Sequence, residues 1–299
     1  MNILETHIVP HGTTEIRLYD YLDGVFPILP SRSSVKKAIT RGKVLVNGEK
    51  TKTGTWVNPN DKIELLDLGS KAPKPYNIDL EIVFEDEFLM VVNKPGGIPV
   101  SGNQFKTIQN AIIDNHNPSK EEDALEWPKP VHRLDSATSG LLIIAKTAKA
   151  LMLLGKQFEN KEIDKKYCAI VMGKIPEEGT IDFAIEGQES ETDYKRVEVA
   201  PSLRSEFLCL VDLYPQTGRT HQIRIHLSKL GFPIMGDALY GEEGKVFKGK
   251  GLFLCAIGLR FEHPITQEKV ELQINEPNKY NILLEREERR FKQFKEQNN

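Results

Sequence analysis

The chain has 299 residues, which is more than one small module needs and suits two domains of roughly 100–200 residues each. Hydrophobic residues make up 39% and charged residues 28%, values that are typical of a folded globular protein and exclude extensive disorder. The 40 Lys and Arg against 43 Asp and Glu give a net charge of −3, so a nucleic-acid partner would need a local basic patch.

The cysteines and the apolar runs exclude further classes of protein. Cys168, Cys209 and Cys255 are too few and too scattered for a disulfide framework or a Cys-rich zinc site. No apolar run reaches the length of about 18 residues that a transmembrane helix needs, and the first residues lack the basic start and apolar core of a secretory signal. We therefore expect a cytoplasmic protein without a membrane partner.

The first third of the chain predicts a small unit of two helices followed by strands. Apolar residues in 14–26 recur at the spacing of one helix face, and Thr14 or the preceding Thr13 offers an N-cap. A second helix, which ends at Gly42, is offered N-caps by three serines, Ser31, Ser33 and Ser34. The strand Val44–Val46 then leads into Asn47-Gly48, a strong hairpin-turn pair, and residues 61–66 predict a further strand.

A basic segment lies within this unit. Between positions 31 and 52, seven Lys and Arg face one acidic residue, Glu49, which gives a local net charge of +6. The candidate RNA-binding residues among them are Arg32, Lys36, Lys37, Arg41 and Lys43. On a helix, Arg32, Lys36 and Lys37 share a face that can hold several phosphates with salt-sensitive affinity. The alternative is a solvated surface without a partner.

A polar segment with two prolines, residues 69–75, divides the chain. We place an N-terminal domain at 1–70, a linker at 71–77 and a larger domain at 78–299. Strands of the larger domain are predicted at 82–84, 88–92, 141–145, 166–172, 194–200, 206–213, 252–259 and 269–274. Helices are predicted at 107–115, 148–160, 220–230 and 279–295. Because the strands come in runs with few helices between them, we expect an α+β fold with a mixed, mainly antiparallel sheet.

Residues 131–146 combine a polar loop with an apolar strand. The loop includes Arg133 and Asp135, a cation and a carboxylate that come just before the strand. Loops at the mouth of a rigid sheet are where catalytic groups tend to lie, so Asp135 is a candidate nucleophile or general base. The alternative is a turn or cap role for this aspartate.

Residues 218–231 predict a helix that begins at Thr220 and ends near Gly231. Its buried stripe consists of Ile223, Leu227 and Leu230. Another face carries His221, Arg224 and Ser228. Arg224 can therefore point into a cleft, where a guanidinium can hold a carboxylate through two parallel hydrogen bonds. The alternative is a structural Arg with a core His, and a metal site is disfavoured because His221 and His226 do not share a face.

The strand predicted at 166–172 supplies an aromatic residue. Alternation places Tyr167 on the same face as Ala169 and Val171. A tyrosine ring with its polar tip is suited to stacking on a nucleic-acid base. Packing in the core is the alternative.

The N-terminal region resembles the small RNA-binding domain named after ribosomal small-subunit protein four. The resemblance is carried by residues 17–22 (Arg-Leu-Tyr-Asp-Tyr-Leu), 33–39 (Ser-Ser-Val-Lys-Lys-Ala-Ile) and 42–48 (Gly-Lys-Val-Leu-Val-Asn-Gly). It implies that this small αα-β domain binds RNA.

The chain from about residue 14 to residue 275 resembles the RluA-type RNA pseudouridine synthases, in the RluC- and RluD-like variant that carries such an N-terminal domain. The residues that carry the resemblance are 92–97 (Val-Asn-Lys-Pro-Gly-Gly), 132–135 (His-Arg-Leu-Asp), 138–142 (Thr-Ser-Gly-Leu-Leu), 166–167 (Lys-Tyr), 218–226 (Gly-Arg-Thr-His-Gln-Ile-Arg-Ile-His) and 236–241 (Gly-Asp-Ala-Leu-Tyr-Gly).

The resemblance implies a pseudouridine synthase fold and an isomerase that cuts uridine from its sugar, rotates it and rejoins it through ring carbon 5. Asp135 is then the nucleophile, Tyr167 stacks on the target base, and Arg224 pairs with the catalytic carboxylate. Arg133 fills the gap left by the extruded base, and His221 is a further RNA contact. Attack on the sugar, attack on the ring and prior formation of a glycal all remain open.

The resemblance also implies partners. Large-subunit (23S) ribosomal RNA is the expected substrate, because the N-terminal domain resembles that of the rRNA-acting members, and tRNA is the alternative. We expect a monomer that uses no metal and no cofactor. Ser101 and Cys255 stand where the family often has His, which affects substrate contacts and packing rather than the reaction. Two rival functions are an RNA-binding protein without catalysis and a hydrolytic N-glycosidase.

Overall fold

Two compact units, Met1–Pro73 and Lys74–Asn299, make up the chain. The computed structural model describes residues 3–29, 31–66, 74–241 and 249–298. The linker predicted at 71–77 therefore lies partly outside the described residues, as does the predicted end of the N-terminal domain at residue 70. No helix in the described part of the chain combines the length and the apolar character that crossing a bilayer requires.

The N-terminal unit consists of short elements. In chain order they are β1 (Ile3–Ile8), β2 (Ile16–Arg17), α1 (Leu18–Tyr21), α2 (Arg32–Thr40), β3 (Val44–Val46), β4 (Glu49–Lys50), β5 (Trp56–Val57) and β6 (Lys62–Leu66). One sheet has the strand order β1-β6-β3-β4, and β2 pairs separately with β5. Apolar residues of α1, α2, β3 and β6 form the core of the unit.

The predicted second helix and hairpin are confirmed. Ser31 caps α2 in a capping box with Ser34, in which each side chain bonds the backbone of the other residue. The turn residues Asn47 (φ 52°) and Gly48 (φ 82°) both have positive φ, the backbone that a two-residue turn between β3 and β4 requires. Local sequence chemistry is therefore sufficient to specify this part of the unit.

The predicted first helix, at 14–26, is too long, because α1 has only four residues. Ile16 and Arg17 instead pair with Val57 and Trp56 as strands β2 and β5. The helix consequently begins after Arg17 rather than at the predicted threonine caps. Pairing with a distant segment has overridden the helical spacing of the apolar residues.

The C-terminal unit alternates strands with few helices. In chain order its elements are β7 (Glu81–Glu85), β8 (Leu89–Lys94), α3 (Ile108–Ala111) with a 3₁₀ turn (Ile112–Asp114), β9 (Ala124–Pro130), β10 (Ser139–Thr147), α4 (Ala148–Glu159), β11 (Asp164–Met172), β12 (Glu178–Ile181), β13 (Thr192–Ser202), β14 (Glu206–Pro215), α5 (Gln222–Lys229), β15 (Leu254–Glu262), β16 (Lys269–Gln273) and α6 (Lys279–Asn298). The strands and helices predicted in this unit are present, and β9 and β12 were not predicted.

One sheet organises this unit. Its strand order is β12-β13-β14-β11-β15-β10-β8-β7, with β16 added to β15 and β9 added to β10. Neighbouring strands are antiparallel except for β10 and β15, the one parallel pair among the described strands. The predicted α+β fold with a mixed, mainly antiparallel sheet is therefore confirmed. Helices α4 and α5 cover the sheet through buried residues such as Leu154 and Leu227.

Candidate active site

Asp135 lies in the loop between β9 and β10, and neighbouring residues fix this loop to the sheet. His132 stacks on Phe158 of α4 with ring centroids 4.5 Å apart, and its Nε2 accepts a hydrogen bond from the Ile143 N–H at 3.0 Å. Leu134 is buried in the core beside β8 and β10. Asp135 is thus held between two anchored residues on one side and the start of β10 on the other.

The hydrogen bond to His132 requires a neutral ring, because a protonated imidazole has no acceptor nitrogen. Burial, together with the charge of Lys165, lowers the pKa of His132 to about 3. The ring therefore stays neutral at physiological pH and anchors the loop as an acceptor.

Lys94, at the end of β8, fixes the other side of the loop. Its side chain is fully buried, and its Nζ donates hydrogen bonds to the carbonyl oxygens of Pro95 (2.9 Å) and Ser136 (3.1 Å). The Gly97 N–H donates to the same Ser136 oxygen at 2.7 Å. Burial lowers the pKa of Lys94 to about 8, although the charge of Asp135 opposes that shift. This buried cation accordingly lies near the Asp135 carboxylate.

A glycine allows the loop to enter the sheet. Gly140 pairs with Ala256 in the parallel pair β10–β15 and has a φ of +111°. A Cβ atom at this position would stand 2.1 Å from the Ala256 carbonyl oxygen, far inside van der Waals contact. No other residue type fits here, so the two strands approach closely just after Asp135.

The predicted N-cap of helix α5, Thr220, is wrong, because the helix begins one residue further along the chain. Its N-cap is His221, in the left-handed conformation at φ 56°. The reason lies in Gln222, whose Oε1 accepts hydrogen bonds from the Thr217 hydroxyl (2.7 Å) and the Arg219 N–H (3.0 Å). This buried amide organises the preceding loop and fixes the direction in which the helix leaves it.

Arg224 joins two carboxylates. Its Nη1 donates to Asp135 Oδ2 at 3.1 Å, while its Nε and Nη2 donate to the two oxygens of Asp237 at 2.8 Å each. The bidentate geometry considered for Arg224 is therefore made with Asp237, and Asp135 receives a single bond. Asp237 also accepts the N–H groups of Leu239 (3.0 Å) and Tyr240 (3.1 Å), which fixes its carboxylate.

The three charged side chains of this arrangement are buried to different degrees. The side chains of Asp237, Arg224 and Asp135 are 1%, 5% and 24% exposed, respectively. Burial raises the pKa of Asp237, but the hydrogen bonds from Arg224 and from the Leu239 and Tyr240 N–H groups together outweigh that effect and hold it below its ordinary value. The pKa of Arg224 is correspondingly raised, since its two carboxylates outweigh the effect of burial. Asp237 thus anchors the guanidinium, and Asp135 is the carboxylate that solvent and ligands can reach.

A cavity of about 260 Å³ lies over this pair. Asp135, Arg224 and Tyr167 all line it, together with Arg133 and His221. Burial, and then the nearby charge of Asp135, raise the pKa of Tyr167 well above its ordinary value. The Tyr167 hydroxyl therefore keeps its proton, and within the described part of the chain it has no hydrogen-bond partner.

The histidines of α5 have separate surroundings. His221 lies at the cavity, with its Nδ1 3.0 Å from the Tyr240 hydroxyl and its Nε2 3.7 Å from Asp135 Oδ1. His226 is fully buried and bonds Ser190 (2.9 Å) and Thr192 (3.0 Å), which makes it a core histidine. Among the residues with described positions, no cluster of His, Cys, Asp and Glu is placed to hold a metal ion.

The remaining predicted RNA-binding residues lie in the N-terminal unit: Arg32, Lys36, Lys37, Arg41 and Lys43. Lys36 and Lys37 are exposed on α2. Arg32 is exposed too, but its Nε donates to Asp23 at 3.0 Å. Asp23 lies outside the basic segment, so the charge of this face is smaller than the sequence count suggests.

Two residues at the site were given no role in the sequence analysis. Asp237 and Lys94 both belong to segments that carried the family resemblance, yet neither has a local pattern that shows its purpose. Asp237 is 13 residues from Arg224, and Lys94 is 42 residues from Ser136. For Lys94, the available signal was a lysine two residues after the apolar run 89–92, at the end of β8.

The chain is similar to known proteins over most of its length. The family model described as RNA pseudouridylate synthase matches residues 88–229. An uncharacterized RNA pseudouridine synthase of Chlorobaculum parvum is 37% identical over 86% of this chain and 89% of its own length. Ribosomal large subunit pseudouridine synthase D of Vibrio parahaemolyticus is 34% identical over 83% and 84%. The solved structure of human RNA pseudouridylate synthase domain containing 1 is similar with a TM-score of 0.56 and 28% identity, over 68% of this chain and 86% of that one.

Proposed function

We propose that this chain, which belongs to the RNA pseudouridylate synthase family, acts on large-subunit (23S) ribosomal RNA. It is an isomerase that converts uridine in RNA to pseudouridine, and we propose Asp135 as its nucleophile. The observation that carries the proposal is the cavity over Asp135, Arg224 and Tyr167. Relatives named for ribosomal large-subunit modification in Vibrio parahaemolyticus and Xylella fastidiosa, each 34% identical to this chain, support the choice of RNA.

The reaction breaks the bond between N1 of uracil and C1′ of ribose and forms a bond from C5 to C1′. The C5 proton is lost and N1 gains one, so the mass of the RNA does not change. The proposed role of Asp135 in covalent catalysis is supported by its position in the lining of the cavity, where Arg224 holds one of its carboxylate oxygens. The guanidinium is itself fixed by Asp237, so Asp135 is oriented before a substrate arrives.

Tyr167 supplies the wall on which the uracil ring stacks. Its raised pKa means that the hydroxyl can donate or accept a hydrogen bond but does not act as a phenolate. Arg133 is exposed at the rim of the cavity, where it can fill the space that an extruded base leaves in the RNA. Extrusion costs a few kcal/mol, so we expect loop or single-stranded uridines as targets.

We further propose that no cofactor or metal takes part. The isomerisation is redox-neutral and moves one base within one nucleotide, so its balance requires no co-reactant. Dialysis of the protein against a metal chelator should leave the rate of pseudouridine formation unchanged. A loss of activity that added metal restores would contradict this part of the proposal.

The N-terminal unit is proposed to hold the RNA through α2 and the β3–β4 hairpin. Lys36 and Lys37 are the exposed cations that support this role, because phosphate contacts by lysines give binding without sequence preference. We propose that the protein acts as a monomer, which light scattering of the protein with and without RNA would test.

The decisive experiment maps pseudouridine in cellular RNA with and without this protein, by carbodiimide-dependent stops of reverse transcription. A stop in 23S rRNA that depends on the protein supports the proposal, and a stop confined to tRNA assigns the other RNA class. The purified protein is then tested on the mapped RNA with Asp135→Asn and, as a matched control outside the cavity, Asp193→Asn.

We expect Asp135→Asn to lose turnover while it keeps most of its RNA affinity, and Asp193→Asn to resemble the wild type. Turnover by Asp135→Asn at the wild-type rate would exclude Asp135 as the nucleophile. The assay also separates the rival functions: an RNA-binding protein forms no pseudouridine, and an N-glycosidase releases free uracil.

A further inference from the structure

A second cavity, of about 310 Å³, adjoins the one that holds Asp135. Its walls come from the start of β11, the end of β14 and the paired strands β15 and β16. Lys165 and Pro215 line both cavities, which makes the two spaces neighbours. No residue of the proposed catalytic group belongs to this second cavity.

The second cavity is basic. Four cationic side chains line it, Lys161, Lys165, Lys166 and Arg260, against the acidic Asp164 and Glu271. Lys166 is paired with Asp212 at 2.8 Å. Within the described part of the chain, the other three cationic side chains have no hydrogen bond or ion pair. The cavity therefore offers an excess of cations that are available to an anionic ligand.

Lys165 is the most distinctive of these cations. It is partly buried, and burial lowers its pKa while the charge of Asp164 opposes that shift. A cation that is partly shielded from water without an ion-pair partner costs free energy, and a bound anion would offset this cost. Its charge also acts on His132, so the ammonium group lies close to the loop that carries Asp135.

The cavity is not only charged, since Tyr214 contributes an aromatic ring to its wall. The Lys166 ammonium lies 6.0 Å from the centroid of that ring. Proteins that bind single-stranded nucleic acids combine a half-exposed aromatic ring with nearby cations, because bases stack on the ring and phosphates contact the cations.

We propose that this second cavity binds the nucleotide next to the target uridine, with Lys165 contacting the phosphate that links the two nucleotides. The inference rests on the proposed function, because it takes the first cavity to hold the target uracil. A nucleotide is covalently joined to its neighbour, so a base in the first cavity brings a phosphate to the boundary between the cavities. Lys165 lies at that boundary.

The first experiment measures binding of fluorescein-labelled decauridylate over a range of NaCl concentrations. Lys165→Gln is compared with the wild type and with Lys149→Gln, which removes an exposed lysine of α4 that lines neither cavity. We expect Lys165→Gln to bind about tenfold more weakly at low salt and to reduce the salt slope by about 0.7, the loss of one phosphate contact on a single strand. Lys149→Gln should match the wild type.

Arg260→Gln is a second variant, since Arg260 is an exposed residue of β15 and its loss should not disturb folding. It should also weaken binding and reduce the slope. Wild-type affinity and slope in both Lys165→Gln and Arg260→Gln would overturn the proposal.

The second experiment uses the RNA fragment that contains the mapped target uridine, with the phosphates on either side replaced one at a time by uncharged methylphosphonate. At one adjacent linkage the wild type should lose about tenfold in kcat/KM, whereas Lys165→Gln should lose nothing further there. If Lys165→Gln remains as sensitive as the wild type to every replacement, the proposed contact is wrong. If the wild type modifies no 23S rRNA, the proposed substrate fails, and the decauridylate experiment still decides on the cavity.

Discussion

Arg224 holds two carboxylates, and we expect removal of one to act mainly on stability and removal of the other mainly on turnover. Asp237 is almost fully buried and accepts two hydrogen bonds from the guanidinium. In Asp237→Asn, the amide oxygen at the Oδ1 position can still accept the Leu239 and Tyr240 N–H groups and the Arg224 Nη2 bond, but an NH2 group now faces Arg224 Nε, which loses its acceptor. Losing one bond from a charged donor costs about 1.5 kcal/mol and leaving that buried donor unpaired costs about as much again, so we expect the C-terminal unit to be destabilised by about 3 kcal/mol.

Asp135→Asn removes much less stability. Asp135 receives one bond from Arg224, is partly exposed, and leaves the bidentate pair with Asp237 intact. Pairs that solvent reaches contribute about 1 kcal/mol or less. The same chemical change at two ends of one guanidinium should therefore separate a stabilising carboxylate from a catalytic one.

The measurement is calorimetry of the full-length chain, combined with turnover on the mapped RNA. A loss of about 3 kcal/mol corresponds to a fall in Tm of roughly 6–12 °C for a unit of this size, against at most about 4 °C for Asp135→Asn. Turnover should be abolished in Asp135→Asn and reduced in Asp237→Asn. Equal shifts in Tm for the two variants would refute the assignment of Asp237 as the buried anchor.

The pH dependence of stability provides an independent check on Asp237. Its pKa is held below the ordinary value, so the unfolded chain binds this proton at a higher pH than the folded chain does. The stabilisation is therefore complete at neutral pH and is lost as the pH falls below the ordinary pKa of 3.8. The Asp237→Asn variant should lack this contribution to acid sensitivity.

Three further predictions follow from the surroundings of single residues. The pKa of His132 falls from 6.5 to about 3 on folding, so between these pH values the unfolded chain binds one proton more than the folded chain. The free energy of unfolding of the wild type should therefore fall by about 1.4 kcal/mol more per pH unit of acidification than that of His132→Gln. Parallel dependences of stability on pH in the two proteins would contradict this. Gly140→Ala should cost at least about 3 kcal/mol because its Cβ meets the Ala256 backbone, whereas Gly155→Ala, with open space around it, should stabilise α4 by about 0.5–1 kcal/mol in the same urea titration. Changing Lys36 and Lys37 together to Glu should weaken RNA binding and flatten its salt dependence, and an unchanged slope would remove α2 from the RNA interface.

Some elements follow from chemistry within a few residues of the chain. The helix cap among the serines 31–34, the hairpin turn at Asn47-Gly48 and the apolar runs of β8, β10 and β11 are all local patterns, and each is present where the sequence predicts it. Elements that the sequence did not predict depend on pairing with another segment. Strand β9 contains Pro128 and Pro130, which argue against a strand, and it is tolerated because it pairs with β10 on one side.

The candidate active site likewise combines features that follow from the sequence with features that depend on the tertiary structure. The sequence by itself determined the family resemblance and which residues were candidates, including Asp135, Tyr167 and Arg224. Only the tertiary structure decided that Arg224 gives its two parallel bonds to Asp237, and that Lys165 lies between two cavities. The physical reason is distance along the chain: caps and turns join near neighbours, whereas Arg224 and Asp135 are 89 residues apart. Such contacts form only once the sheet has brought the segments together.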